Sequence, residues 1–178
     1  MNTCKIVMYH YVRPIANSSF SKIKGLELED FKTQIKFFKK NFHFISIQDI
    51  LDSVYKHNSL PKNSILLTFD DGLKDHFNYV FPILEENNIQ GIFFPPGKPI
   101  IEKIVLDTHK IHFILATISN TEIIIDQIKK YLKKFKKNIN IKTFDFYYKK
   151  FAYQNRFDSK EINFIKKFLQ KGLPLEFR

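Results

Sequence analysis

Apolar positions along the chain follow two rhythms. Short apolar runs at residues 4–9, 42–45, 64–69 and 89–94 have the length and composition of strands. Between the first two, Leu28, Phe31, Ile35 and Phe38 recur at helical spacing, with Lys32, Lys36, Lys39 and Lys40 interleaved. That pattern predicts a surface helix with one buried stripe, packed on a sheet. Ser46 is placed to cap a short helix carrying Ile47, Ile50, Leu51 and Val54, and residues 60–63 read as the loop into the third strand. Strand alternating with helix predicts an α/β fold with parallel strands joined by right-handed crossovers.

After Phe94 the rhythm changes. Pro95-Pro96-Gly97-Lys98-Pro99 is a break that neither a helix nor a central strand tolerates. Beyond it the pattern is mostly helical. Ser119-Asn120-Thr121-Glu122 has capping-box spacing ahead of an Ile-rich run to about Lys137. Asp158-Ser159-Lys160-Glu161 is an acid-led version ahead of residues 162–171, stopped by Gly172. The reading divides the chain into 1–99, the strand-bearing part, and 100–178, a helical subdomain or insertion.

Composition narrows the class. A chain 44% hydrophobic and 26% charged is that of a folded soluble protein, sized for one domain or a domain plus a lobe. Its apolar runs fall short of a membrane span, and the start of the chain lacks a charged-then-apolar signal region, so the expected location is cytoplasmic. The single cysteine, Cys4, excludes an internal disulfide. The net charge of +11 raises the question of nucleic acid, with Lys129-Lys130, Lys133-Lys134 and Lys136-Lys137 interleaved with Tyr131 and Phe135. Lysine is spread over the whole chain, however, and arginine occurs only at 13, 156 and 178, a compositional bias that argues against a nucleic-acid groove. A basic surface suits acidic glycans or lipid-linked sugar phosphates equally well.

The candidate chemistry lies in Ser64-Ile65-Leu66-Leu67-Thr68-Phe69-Asp70-Asp71-Gly72, where a buried strand delivers two adjacent carboxylates to its C-terminal end. Asp-Asp-Gly alone also describes an ordinary turn. Alternation starts the two acids on opposite sides, and a turn at Gly72 brings both to one rim, one carboxylate free and one bound. Dehalogenase-type phosphatases need Asp-x-Asp, and the five glycines never cluster as a phosphate loop would require, so both readings fail. His10 ends the first strand, on the same rim as Asp70 if the strands are parallel, as a site residue or as a structural one.

T-F-D-D-G at 68–72, Y-H-Y-V at 9–12 and the segment 78–94 together resemble the polysaccharide deacetylase family of carbohydrate esterases, over about residues 4–95. The resemblance implies an irregular β/α barrel and metal-assisted hydrolysis of N-acetyl or O-acetyl groups on a glycan or lipid-linked sugar. It implies Asp70 as general base and Asp71 as ligand to a divalent metal, zinc before cobalt or nickel. The chemistry agrees, since a cation holds one carboxylate ionised while its neighbour takes a proton from an acidified water.

A catalytic zinc site takes about three protein ligands. The family's H-x-x-x-H is absent: the histidines are 10, 43, 57, 76, 109 and 112, no two of them four apart. His109 and His112, at i, i+3, are the substitute the sequence offers, in a segment that also reads as a packing helix. R-x-P-F, D-x-x-D-W and a late L-x-H are missing as well. With 178 residues against about 250 for a full barrel, the expectation is a partial β/α barrel, the N-terminal part of a deacetylase-like protein. The missing ligands would then come from another chain or segment. The alternative is an inactive remnant or interaction module that binds acidic glycan or nucleic acid.

Overall fold

The computed structural model describes residues 3–135 and 141–174, which form two compact units, Met1–Lys103 and Ile104–Arg178. Lys136, Lys137 and the residues after Pro174 lie outside the described residues.

The first unit is an α/β structure built on a parallel sheet, as the alternation of strand and helix predicts. Its elements are β1 (Cys4–Tyr9), β2 (Val12–Arg13), β3 (Leu26–Glu27), α1 (Leu28–Asn41), β4 (His43–Phe44), α2 (Ile47–Tyr55) and β5 (Ser64–Asp70). A π-helical stretch, His76–Val80, then leads into α3 (Phe81–Glu86), followed by β6 (Gly91–Phe94) and the short α4 (Gly97–Glu102). β5 is the central strand. One edge pairs with β1, from Cys4 opposite Ser64 to Tyr9 opposite Phe69. Its other edge takes β4 at Ser64 and Ile65, then β6 from Leu67 to Asp70.

Two strands are shorter than the apolar runs suggested, because their first residues close the preceding helices. The Phe42 N–H donates to Phe38 O at 2.8 Å, and the Ile89 N–H to Leu84 O at 2.9 Å. Such bonds satisfy carbonyls that a helix end would otherwise leave open. The small parallel pair β2–β3 has no periodic signature and was not foreseen.

Alternation along the sheet sorts the side chains. Ile65, Leu67 and Phe69 of β5 join Tyr9, Phe31, Ile35, Val80 and Leu84 in one buried core. At the rim end, three residues in register stack across three strands. Tyr9 lies 5.3 Å from Phe69 and Phe69 lies 4.9 Å from Phe93, ring centre to ring centre, with interplanar angles of 16° and 19°. Phe31 of α1 meets both Tyr9 and Phe69 edge-on, and the Tyr9 hydroxyl donates to Gln34 Oε1 at 2.7 Å. The α1 stripe is therefore anchored at the layer directly beneath the two acids. A Cβ on Gly91 would stand 2.8 Å from the Phe69 ring and 2.9 Å from Leu84 Cδ1, so only glycine lets β6 approach this closely.

The chain then turns sharply. Asp71 (φ 75°) and Gly72 (φ 58°) are both left-handed, and a Cβ on Gly72 would stand 2.8 Å from Pro95 Cβ. Asp tolerates that region better than most side chains, and at 72 the contact with Pro95 leaves only glycine. Ser46 caps α2 as the sequence suggests, in a capping box with Asp49, but no residue of α2 is buried. Its stripe is half exposed.

The second unit contains α5 (Asp107–Thr117), α6 (Thr121–Phe135), α7 (Phe144–Phe151) and α8 (Lys160–Lys167), the last running into a π-helical turn, Phe168–Gly172. Ile124, Ile128, Leu132, Phe164, Ile165 and Phe168 head its core. Both predicted caps shift by one residue. Asn120 Oδ1 takes the Glu122 N–H at 2.9 Å, and Ser159, not Asp158, caps α8. Asp158 is held instead by Lys166 at 2.7 Å, an ion pair that draws the acid away from the helix end.

Two substitutions test this account. Phe69→Ala should destabilise the protein by about 3–5 kcal/mol in urea unfolding, as expected for an aromatic removed from a fully buried site. Gly72→Ala should cost about 1–3 kcal/mol through its positive φ alone, more if Pro95 cannot give way.

Candidate active site

Asp70 is the last residue of β5, half-buried, in register with Phe94 of β6. Among the described residues its carboxylate has no hydrogen-bond or ion-pair partner. Asp71 is differently placed. The left-handed turn brings it toward the exit of β1, where His10 Nε2 lies 4.0 Å from Asp71 Oδ2, with side chains 44% and 27% exposed respectively. Register explains the meeting. Tyr9 pairs with Phe69, so the residues that follow each, His10 and Asp70-Asp71, leave the sheet at one level.

A second layer fixes this rim. His76 Nε2 is 2.7 Å from the His10 carbonyl oxygen, and since a carbonyl can only accept, Nε2 carries the hydrogen and donates. The His76 ring is buried against Phe69 and Phe93, at 5.5 and 5.9 Å between centres. Arg13 Nε lies 3.7 Å from Asp75 Oδ2. Burial pushes the Asp75 carboxyl above its ordinary value, against the pull of Arg13 and His76. The buried Tyr11 phenol is pushed up to about 12, first by desolvation and then by the charges of Asp71 and Asp75, with Arg13 opposing. It therefore stays a neutral hydrogen donor in the field of both carboxylates. Further along, the Glu27 carboxylate accepts the Ile15 and Ala16 N–H groups at 2.8 and 3.0 Å and holds the loop after β2; these bonds lower its proton affinity.

His109 and His112 belong to α5 of the second unit, one turn apart, with ring centres 6.5 Å apart. His109 is buried. Among the described residues no three His, Cys, Asp or Glu side chains converge as a metal site would require. Asp71 and His10 thus supply two donors, one fewer than a catalytic zinc ion takes, and the described residues do not complete such a site. The sequence assigns no site role to His76, Asp75 or Arg13, and Tyr11 enters it only within Y-H-Y-V. The one available signal was the spacing of Asp71 and Asp75, four residues apart across a turn that opens a helix.

Comparison with known proteins gives the chain a family. The polysaccharide deacetylase model matches residues 57–171, which takes in Asp70 and Asp71 and runs through most of the second unit. No curated protein sequence matches the chain. Among solved structures, a de-N-acetylase from Aggregatibacter actinomycetemcomitans is 23% identical with a TM-score of 0.46, over 52% of this chain and 37% of that one. IcaB from Ammonifex degensii is 24% identical with a TM-score of 0.42, over 53% and 39%. The Streptococcus pyogenes deacetylase PplD, solved in complex with acetate, is 14% identical with a TM-score of 0.48, over 96% and 81%. The chain thus spans under two fifths of the length of the first two. With more than half of its residues matched by the family model, the chain belongs to the polysaccharide deacetylase family.

Proposed function

We propose that this protein acts on an acetylated glycan, with Asp70 as general base for hydrolysis of an N- or O-acetyl group. The observation that carries the reading is the contrast between the two acids. Asp70 has no partner among the described residues and is available to accept a proton, whereas Asp71 is turned toward His10. In the proposed reaction Asp70 takes a proton from the water that adds to the acetyl carbonyl, and collapse of the tetrahedral adduct releases acetate and the sugar amine or alcohol. Asp71 and His10 are the proposed donors toward a divalent cation, zinc, cobalt or nickel. His109 and His112 remain proposed ligands on the strength of their spacing alone. Because the described residues bring together only two donors, no catalytic step is assigned to a cation.

That shortfall favours a second reading, a glycan-binding module without turnover. The two separate in one pair of measurements. For the enzyme, zinc, cobalt or nickel raises the melting temperature and Asp71→Ala removes the shift. Acetate is then released from N-acetylated oligosaccharides, and Asp70→Asn lowers the rate at least about 100-fold, the loss expected when a general base is removed. If wild type shows neither a metal-dependent shift nor acetate release, the binding module stands. His10→Ala should weaken the metal shift without lowering stability by more than about 1 kcal/mol, because a half-exposed pair contributes little to folding.

A further inference from the structure

The second unit carries a concavity that the deacetylase chemistry does not use. It encloses about 480 Å³ and is lined by Lys129 and Lys133 of α6 and by Lys142, Thr143, Phe144 and Asp145 at the start of α7. Among the described residues, three lysines line this hollow with one carboxylate, Asp145. Lys129 is oriented, its Nζ 5.2 Å over the Phe144 ring and 3.2 Å from Asp126 Oδ1. Lys133 and Lys142 have no ion-pair or hydrogen-bond partner among the described residues. Thr143 Oγ1 already accepts the Phe146 N–H at 3.3 Å, so the donors the hollow offers are the ammonium groups rather than the helix end.

Like charges gathered at one concavity raise each other's energy, and the low-dielectric wall behind them focuses the field on whatever enters. We propose that this cavity binds a phosphate group. A phosphate offers several acceptor oxygens to lysines acting as separate point charges, and its charge offsets their mutual repulsion. The volume falls within the range of small-ligand pockets and exceeds what a bare phosphate fills, so the group should arrive attached to a larger polar body. The Phe144 ring gives that body an apolar wall. Among the described residues the lining is one hollow rather than the extended basic groove that tracks a nucleic-acid backbone. The phosphate source is either a soluble phosphorylated sugar or a lipid headgroup.

The test uses the intact chain, titrated with inorganic phosphate and with glucose 6-phosphate while backbone amide shifts are followed by NMR. Vesicles of phosphatidylglycerol in phosphatidylcholine are tested in parallel by co-sedimentation. Saturable shifts confined to α6 and α7 are expected. Lys133→Ala and Lys142→Ala should each weaken binding about two- to fivefold, as for loss of an exposed ion pair. Asp145→Asn should tighten it, and Lys36→Ala on α1 should leave it unchanged. Sugar-phosphate binding without sedimentation assigns a soluble source, and sedimentation lost in the two lysine variants assigns the lipid. The proposal is overturned if none of the three probes binds, if the shifts scatter over the surface, or if Lys36→Ala weakens binding as much as the cavity lysines do.

Discussion

The candidate site depends on one contact, the stack of Tyr9, Phe69 and Phe93 across β1, β5 and β6. Parallel strands can slip, and a slip of one residue turns every side chain to the other face. Rings that must lie over each other at 5.3 and 4.9 Å resist that slip, because a shifted register would place Met8 or His10 where Tyr9 stands. The stack also binds α1 through Phe31 and Gln34, and the π-helical stretch His76–Val80 through the buried His76 ring. The rim above it inherits this order. His10 and Asp70 each follow a stacked ring by one residue, so the separation of their backbones at the rim is set by ring packing and strand spacing together.

How far this was legible in the sequence varies by element. β5 was readable because a central strand buried along nearly its whole length leaves an uninterrupted apolar run, β1 because its short run is mostly apolar although one face is exposed, and α1 because its stripe repeats at helical spacing. The two acids were readable for the same reason, as polar residues ending such a run. What escaped depends on contacts between distant segments. Nothing around His76 announces that its Nε2 donates to the carbonyl of residue 10, since that bond joins positions 66 apart. Caps are near-degenerate signals. Asp158 and Ser159 are both good N-caps, and the choice fell to Ser159 because Lys166 claims the acid through a contact made only after α8 has formed.

The helical second unit shows the limit of composition as a guide to chemistry. Its lysines follow the same bias as the rest of the chain, so the sequence offers no ground for preferring one over another. Folding does discriminate. Lys166 is consumed by Asp158, and Lys129 is placed over an aromatic face, whereas Lys133 and Lys142 are left facing a hollow. A linear charge run becomes a local field only where packing gathers its members at one concavity, which periodicity does not report.

Asp71 gives the best physical ground for regarding the rim as more than a turn. Its left-handed backbone costs on the order of 1 kcal/mol relative to a relaxed conformation. The pair it makes with His10, at 4.0 Å and with His10 nearly half exposed, contributes no more than about that, and only when the imidazole is charged. Local stability therefore does not account for the geometry. A plain reversal after β5 could be built with asparagine or a second glycine at 71 and would need no histidine opposite. The surrounding structure nevertheless spends further interactions on holding the arrangement, with Gly72 pressed against Pro95 and the His10 carbonyl fixed by a buried His76. Such over-determination of a slightly strained acid beside an imidazole, with a second acid left unengaged among the described residues, supports the proposed role of Asp70 over that of a simple turn.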